Sequence, residues 1–177
     1  MAHYAVTAIG RDRPGIVAAI AEALLDLNGN IEDSRMAILG GHFSVMLVVS
    51  LGEDADETTA AARLEPVAST FGLEAIAVNR IDEIDTEESA PTQLMSVYGA
   101  DHPGIVHTIS RTLALLAVNI TDLSTQLAGD PEAPIYLLVM ELGLGGTEQA
   151  TLEAALEEVA SVAQVEVSLR TITAEAL

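Results

Sequence analysis

Cysteine, tryptophan and lysine are absent from the 177 residues, and aromatic side chains are limited to two Phe and three Tyr. Without a thiol the chain can form no disulfide, zinc–thiolate or iron–sulfur site and has no cysteine nucleophile. With so few rings there is no platform on which bare nucleobases could stack. Apolar runs such as Ile135 to Met140 fall far short of the ~20 residues that cross a bilayer. The seven basic residues are all arginine and face 27 Asp and Glu, for a net charge of −20. Affinity for a nucleic-acid backbone comes mainly from cations that displace counterions, so this chain would be repelled by one. It is therefore expected to be cytoplasmic, with neither direct nucleic-acid binding nor membrane attachment. Any regulatory action would pass through a protein partner; the plainer reading is that the acidic surface only keeps the protein soluble and monodisperse, or reflects a high-salt cytoplasm.

Half of the residues are hydrophobic, drawn largely from Ala, Val, Ile and Leu. That is enough to bury a core in one large domain or in two modules of about 80 to 90 residues. An internal repeat selects the second option. Gly10 to Asp33 aligns without gaps onto Gly99 to Asp122, with 12 of 24 positions identical. The match resumes at Phe43/Tyr136 and again where Leu64 to Ser69 meets Leu156 to Ser161. The polar, acidic stretch 83–91 reads as a linker, which places one domain at 1–82 and the other at 92–177.

Within a copy, His3 to Ile9 is a β-prone run, and Pro14-Gly15 opens a helix in which Val17, Ile20, Leu24 and Leu27 recur at helical spacing. Val106, Ile109, Leu113 and Leu116 repeat that spacing. Asn28-Gly29 supplies a left-handed cap, and strands 31–39 and 43–51 follow, joined at Gly40-Gly41. A helix over 57–71 and a strand over 73–81 complete the order βαββαβ. That order specifies an α+β ferredoxin-like unit, four antiparallel strands with both helices on one face. Met46 and Val48 make the second face of the third strand apolar as well. A meeting of sheet faces or edges, between modules or in a homo-oligomer, is therefore expected, against the plainer alternative of a mildly apolar exposed face.

The turn Asp12-Arg13-Pro14-Gly15-Ile16 lies between strand and helix, where free N–H groups favour an anion such as a carboxylate. Gly15 lets a ligand approach the backbone, and Arg11 and Arg13 add positive charge. Asn30, followed by Ile31, could offer an amide to an amino or carboxylate group. The second copy keeps Asp101, Pro103, Gly104, Ile105, Asn119 and Ile120 but has His102 in place of Arg13. The plainer reading makes Pro-Gly a helix start and Asn30 a turn residue. The four histidines lack metal-ligand spacing, and no nucleophile or phosphate-binding motif occurs, so neither catalysis nor a cofactor is expected.

Asp12 to Val17 resembles the first loop of the ACT domain, and Asn30 to Gly40 is similar to modules of the glycine cleavage repressor family of tandem ACT proteins. The resemblance implies two ACT modules that pair through their sheets and bind an amino acid near the glycine loop and the start of the second strand. It further implies a non-enzymatic sensor working through a transcription factor. The alternatives are an accessory module that docks on a separate amino-acid metabolic enzyme, or an assembly protein whose ligand site is vestigial.

Overall fold

The computed structural model describes residues 2–81, 91–130 and 133–172, with the side chain of residue 133 left aside. The chain divides into two compact units, Met1–Thr86 and Glu87–Leu177. The acidic segment expected to link them lies, apart from Pro91, outside the described residues.

The first unit runs β1 (Ala2–Arg11), α1 (Ile16–Leu25), β2 (Asn30–Leu39), β3 (His42–Leu51), α2 (Glu57–Phe71) and β4 (Leu73–Ile81). Its antiparallel sheet has the order β2-β3-β1-β4. The second unit repeats this with β5 (Gln93–Ala100), α3 (Ile105–Leu115), β6 (Asn119–Asp130), β7 (Ala133–Gly143), α4 (Gln149–Ala163) and β8 (Val165–Thr171), in the order β6-β7-β5-β8. This is the α+β architecture expected from the repeat, βαββαβ twice.

Local chemistry sets the boundaries. Gly40 and Gly41 have φ of 58° and 80°, the paired positive values of a tight hairpin turn. The Asp56 carboxylate caps α2 by accepting from the Thr59 N–H at 2.8 Å and from its hydroxyl at 2.7 Å. Those bonds favour the charged form and hold the Asp56 pKa below its ordinary value. Gly72 ends α2 in the left-handed region, at φ 63°.

Two details depart from expectation. The left-handed residue after α1 is Asn28 (φ 52°), not Gly29, and Ala117 (φ 54°) holds that place in the second unit. Val118 therefore stands at the place of Gly29 without needing a positive φ. The buried stripe of α1 is Ile16, Ile20, Ala23 and Leu24, whereas Val17 is about half exposed. Alternate residues of β1 and β3, namely Tyr4, Val6 and Ala8 with Phe43, Val45, Leu47 and Val49, meet this stripe to form the first core. Met95, Val97, Leu138 and Met140 meet Ile105, Ile109 and Leu113 in the second. The edge strand β2 is exposed along its whole length. Met36 and Ile38, opposite Val45 and Phe43, lie on the helix side but remain about half exposed.

Candidate functional site

In the first unit β1 ends at Arg11, and residues 12–15 lead into α1. The loop is fixed at two points: the Asp12 N–H donates to the Gly41 carbonyl at 3.1 Å, and Gly15 accepts from the Ala19 N–H at 2.9 Å. Gly15 has φ 99°, which side chains rarely adopt, and no side chain caps the first turn of α1. A Cβ added there would touch the Phe71 ring at 3.5 Å. Arg11, Asp12, Arg13, Pro14 and Gly15 are exposed, whereas Ile16 is buried in the core. The loop can therefore offer helix-terminal N–H groups, flanked in sequence by two guanidinium groups, to a small anion.

Asn30 does not join this loop within its own unit. β2 and β1 run in the same direction on either side of β3: Asn30 pairs with Ser50, which pairs with His3, while Leu39 pairs with His42, which pairs with Arg11. The eight-residue step from His3 to Arg11 separates the two ends by roughly 26 Å at 3.3 Å per residue. Asn119, paired with Gly143, starts β6 at the corresponding end of the second sheet. The ladder also shifts at Ile31/Asp33 and at Ile120/Asp122, a bulge in the same place in both units. The repeated Asn-Ile-x-Asp thus coincides with this bulge in both units. Asn30, Ile31 and Asn119 are exposed and Ile120 is partly buried.

The second unit copies the backbone of the loop but not its chemistry. Gly104 has φ 102° and accepts from the Thr108 N–H at 2.9 Å, and α3 likewise has no side-chain cap. Asp101, His102, Pro103 and Gly104 are exposed, and Ile105 is buried. His102 Nε2 lies 2.8 Å from the carbonyl of Ala163, the last residue of α4, and Nδ1 lies 3.2 Å from its neighbour's carbonyl at Pro103. Both partners only accept, so both ring nitrogens can donate only when the imidazole is protonated. The Ala163 carbonyl, then that of Pro103 and the nearby Asp101 charge, raise the His102 pKa above 6.5. Ala163 occupies the repeat position of Phe71, so the contact between loop and helix end is apolar in the first unit and protonatable in the second. No motif announces this contact, which joins residues 61 positions apart.

A pH dependence follows. A folded-state pKa above the unfolded value gives stabilisation that is complete below about 6.5 and is lost as pH rises through the folded value. The thermal midpoint of the wild type should therefore fall more steeply as pH rises above about 6.5 than that of His102→Gln, which can donate to Ala163 at any pH. Equal slopes in the two proteins would contradict the assignment.

Among the described residues no group of three or more His, Asp or Glu could hold a metal ion, and no helix is long and apolar enough to cross a membrane.

Residues 3–77 match the family model of the ACT domain. A UPF0237 protein of Methanopyrus kandleri is 38% identical over 78 residues, 43% of this chain and 86% of that protein. The glycine cleavage system transcriptional repressor of Escherichia coli is 49% identical over 49 residues, 27% of this chain and 26% of the repressor. In three dimensions, a protein given as unknown from Galdieria sulphuraria superposes with a TM-score of 0.82 at 26% identity, covering 97% of this chain and 99% of that one. A second crystal structure, provisionally named a glycine cleavage system transcriptional repressor, gives a TM-score of 0.72 at 21% identity over 97% of this chain and 98% of the other.

Proposed function

The chain belongs to the ACT domain family, and on that premise we propose that it is a non-enzymatic amino-acid sensor of the tandem ACT type that acts through a protein partner. The observation that carries this reading is the glycine loop: twice in the chain a glycine near φ 100° precedes a helix whose first turn has no side-chain cap. An amino-acid carboxylate docks on these N–H groups. Arg11 and Arg13 make the first loop the stronger anion site, and the second, with Ala100 and His102, the weaker. An Asn30-type amide reaches a ligand on such a loop only from a module other than the one that holds the loop. The exposed edge of β2, with Met36, Ile38 and Leu39, supports association of copies of the chain through sheet edges.

The name of the Escherichia coli relative makes glycine the first amino acid to test and glycine catabolism the first pathway. With a net charge of −20, DNA recognition belongs to a partner transcription factor rather than to this chain.

A thermal-shift screen of the twenty amino acids tests the reading, because a ligand that binds only the folded state raises its midpoint by mass action. One or a few amino acids should raise the midpoint at millimolar concentration. Gly15→Val should weaken the hit at least about tenfold, or ~1.4 kcal/mol, while the protein stays folded. Unchanged affinity would move the site elsewhere, and the absence of any shift would end the sensor reading.

A further inference from the structure

The two units differ most where their helices meet. In the first unit Arg63 of α2 pairs with Asp26 at the end of α1, which bridges the two helices. In the second unit the corresponding positions are Ala155 and Leu115, and no charge spans the gap. A cavity of about 330 Å³ lies there between α3 and α4. Thr108, Thr112, Leu116 and Val159 are among its walls. The Thr112 hydroxyl donates to the Thr108 carbonyl at 3.1 Å within its own helix, so that polar group is already satisfied. Leu115 and Val162 stand at the lips, 78% and 74% exposed. The first unit has Asp26 and Thr70 at these two places, so the apolar lips belong to the second unit alone.

We propose that this groove is the docking site for an amphipathic helix of a partner protein, one with aliphatic side chains on one face and basic residues beside them. The inference rests on the reading that the chain acts through a protein partner. Charge selects the occupant. Glu158 lines the groove and no basic residue does. A second copy of the chain would bring one net charge of −20 against another, whereas a basic flank complements the rim. Length agrees too: from Thr108 to Leu116 a helix rises about 12 Å, room for about two turns of a partner laid against it.

The probe is a stapled helical peptide of about 14 residues, since a free helix of that length is marginal in water. It carries leucines at spacings of three and four with flanking lysines, and a control peptide has glutamates in place of the lysines. The full chain should bind the lysine peptide with micromolar affinity and should not bind the glutamate peptide. Methyl resonances of Leu115, Val162 and Thr112 should shift on titration. Leu115→Asp combined with Ala155→Arg imports the ion pair of the first unit at no change in net charge, so non-specific attraction is preserved. It should weaken the peptide at least tenfold while leaving the thermal midpoint in place. Val162→Gln, at an exposed position, should weaken binding severalfold and serves if the double variant folds poorly. Undiminished affinity in these variants, equal binding of both peptides, or unmoved methyl resonances would overturn the proposal. So would a self-association that the double variant abolishes, because a second copy would then be the occupant. The amino-acid thermal shift is read on the same variants. If that shift survives and a cross-linked partner is held equally by wild type and double variant, the groove fails and the sensor reading stands.

Discussion

Phe43→Ala is expected to destabilise the first unit by about 3–5 kcal/mol, the range for an aromatic ring removed from a packed core. Phe43 is 1% exposed and is the second residue of β3, paired with Gly10 on one side and Ile38 on the other. Gly10 has no side chain, so nothing beside the ring on β1 can swing in to fill the space. Denaturant titration followed by hydrogen exchange at β1 and β3 amides would measure the loss unit by unit. Tyr136 holds the same place in the second unit but is only partly buried, so Tyr136→Ala should cost clearly less. A loss below about 1 kcal/mol for Phe43→Ala would mean that the site collapses freely around the missing ring, as a packed interior does not.

The elements that the sequence specified best are those with punctuation at both ends. α2 over 57–71 and β4 over 73–81 match the expected ranges, because Asp56 and Thr59 start the helix and Gly72 is the left-handed break between the two. The Gly40-Gly41 hairpin is legible for the same reason. The face of α1 is not: IVAAIAEALL is apolar nearly all round, so periodicity had no contrast from which to tell Val17 from Ile16. Ala117 and Gln164 take φ of 54° and 51° without a glycine or asparagine to announce it. The repeat made the Gly15 and Gly104 loops visible. It could not show that Asn30 starts β2 at the far end of the sheet, since motif spacing carries no information about strand register. Nor could it show His102 against Ala163, a contact made only when the sheet brings the end of β5 beside the start of β8.

The repeated glycine at the end of the first strand leads to the second large effect. Gly99 pairs with Tyr136 on one side and Val165 on the other. A Cβ placed on it would lie 2.7 Å from Val165 Cγ1 and 3.3 Å from Val165 Cα. Val165 is buried and β-branched, with its preferred rotamers limited by the strand it begins, so the methyl has little freedom to move aside. Gly10 meets Leu73, the residue equivalent to Val165, in the same way, with its missing Cβ 3.0 Å from the Leu73 Cα. The glycine therefore marks where the fourth strand of each unit begins against the end of the first, a close approach that admits only hydrogen. Gly99→Ala should cost about 1–3 kcal/mol by overpacking. Val165→Ala on its own should also destabilise, by removing buried methyl groups. The substitution also removes Cγ1, the nearest clashing atom, so the double variant should be more stable than the sum of the single losses predicts, with a coupling of about 1 kcal/mol or more. Urea denaturation of the four proteins gives that coupling directly. Strict additivity would show that the strand, rather than the valine side chain, yields to the added methyl, and the repeated glycine would then reflect backbone freedom instead of close packing.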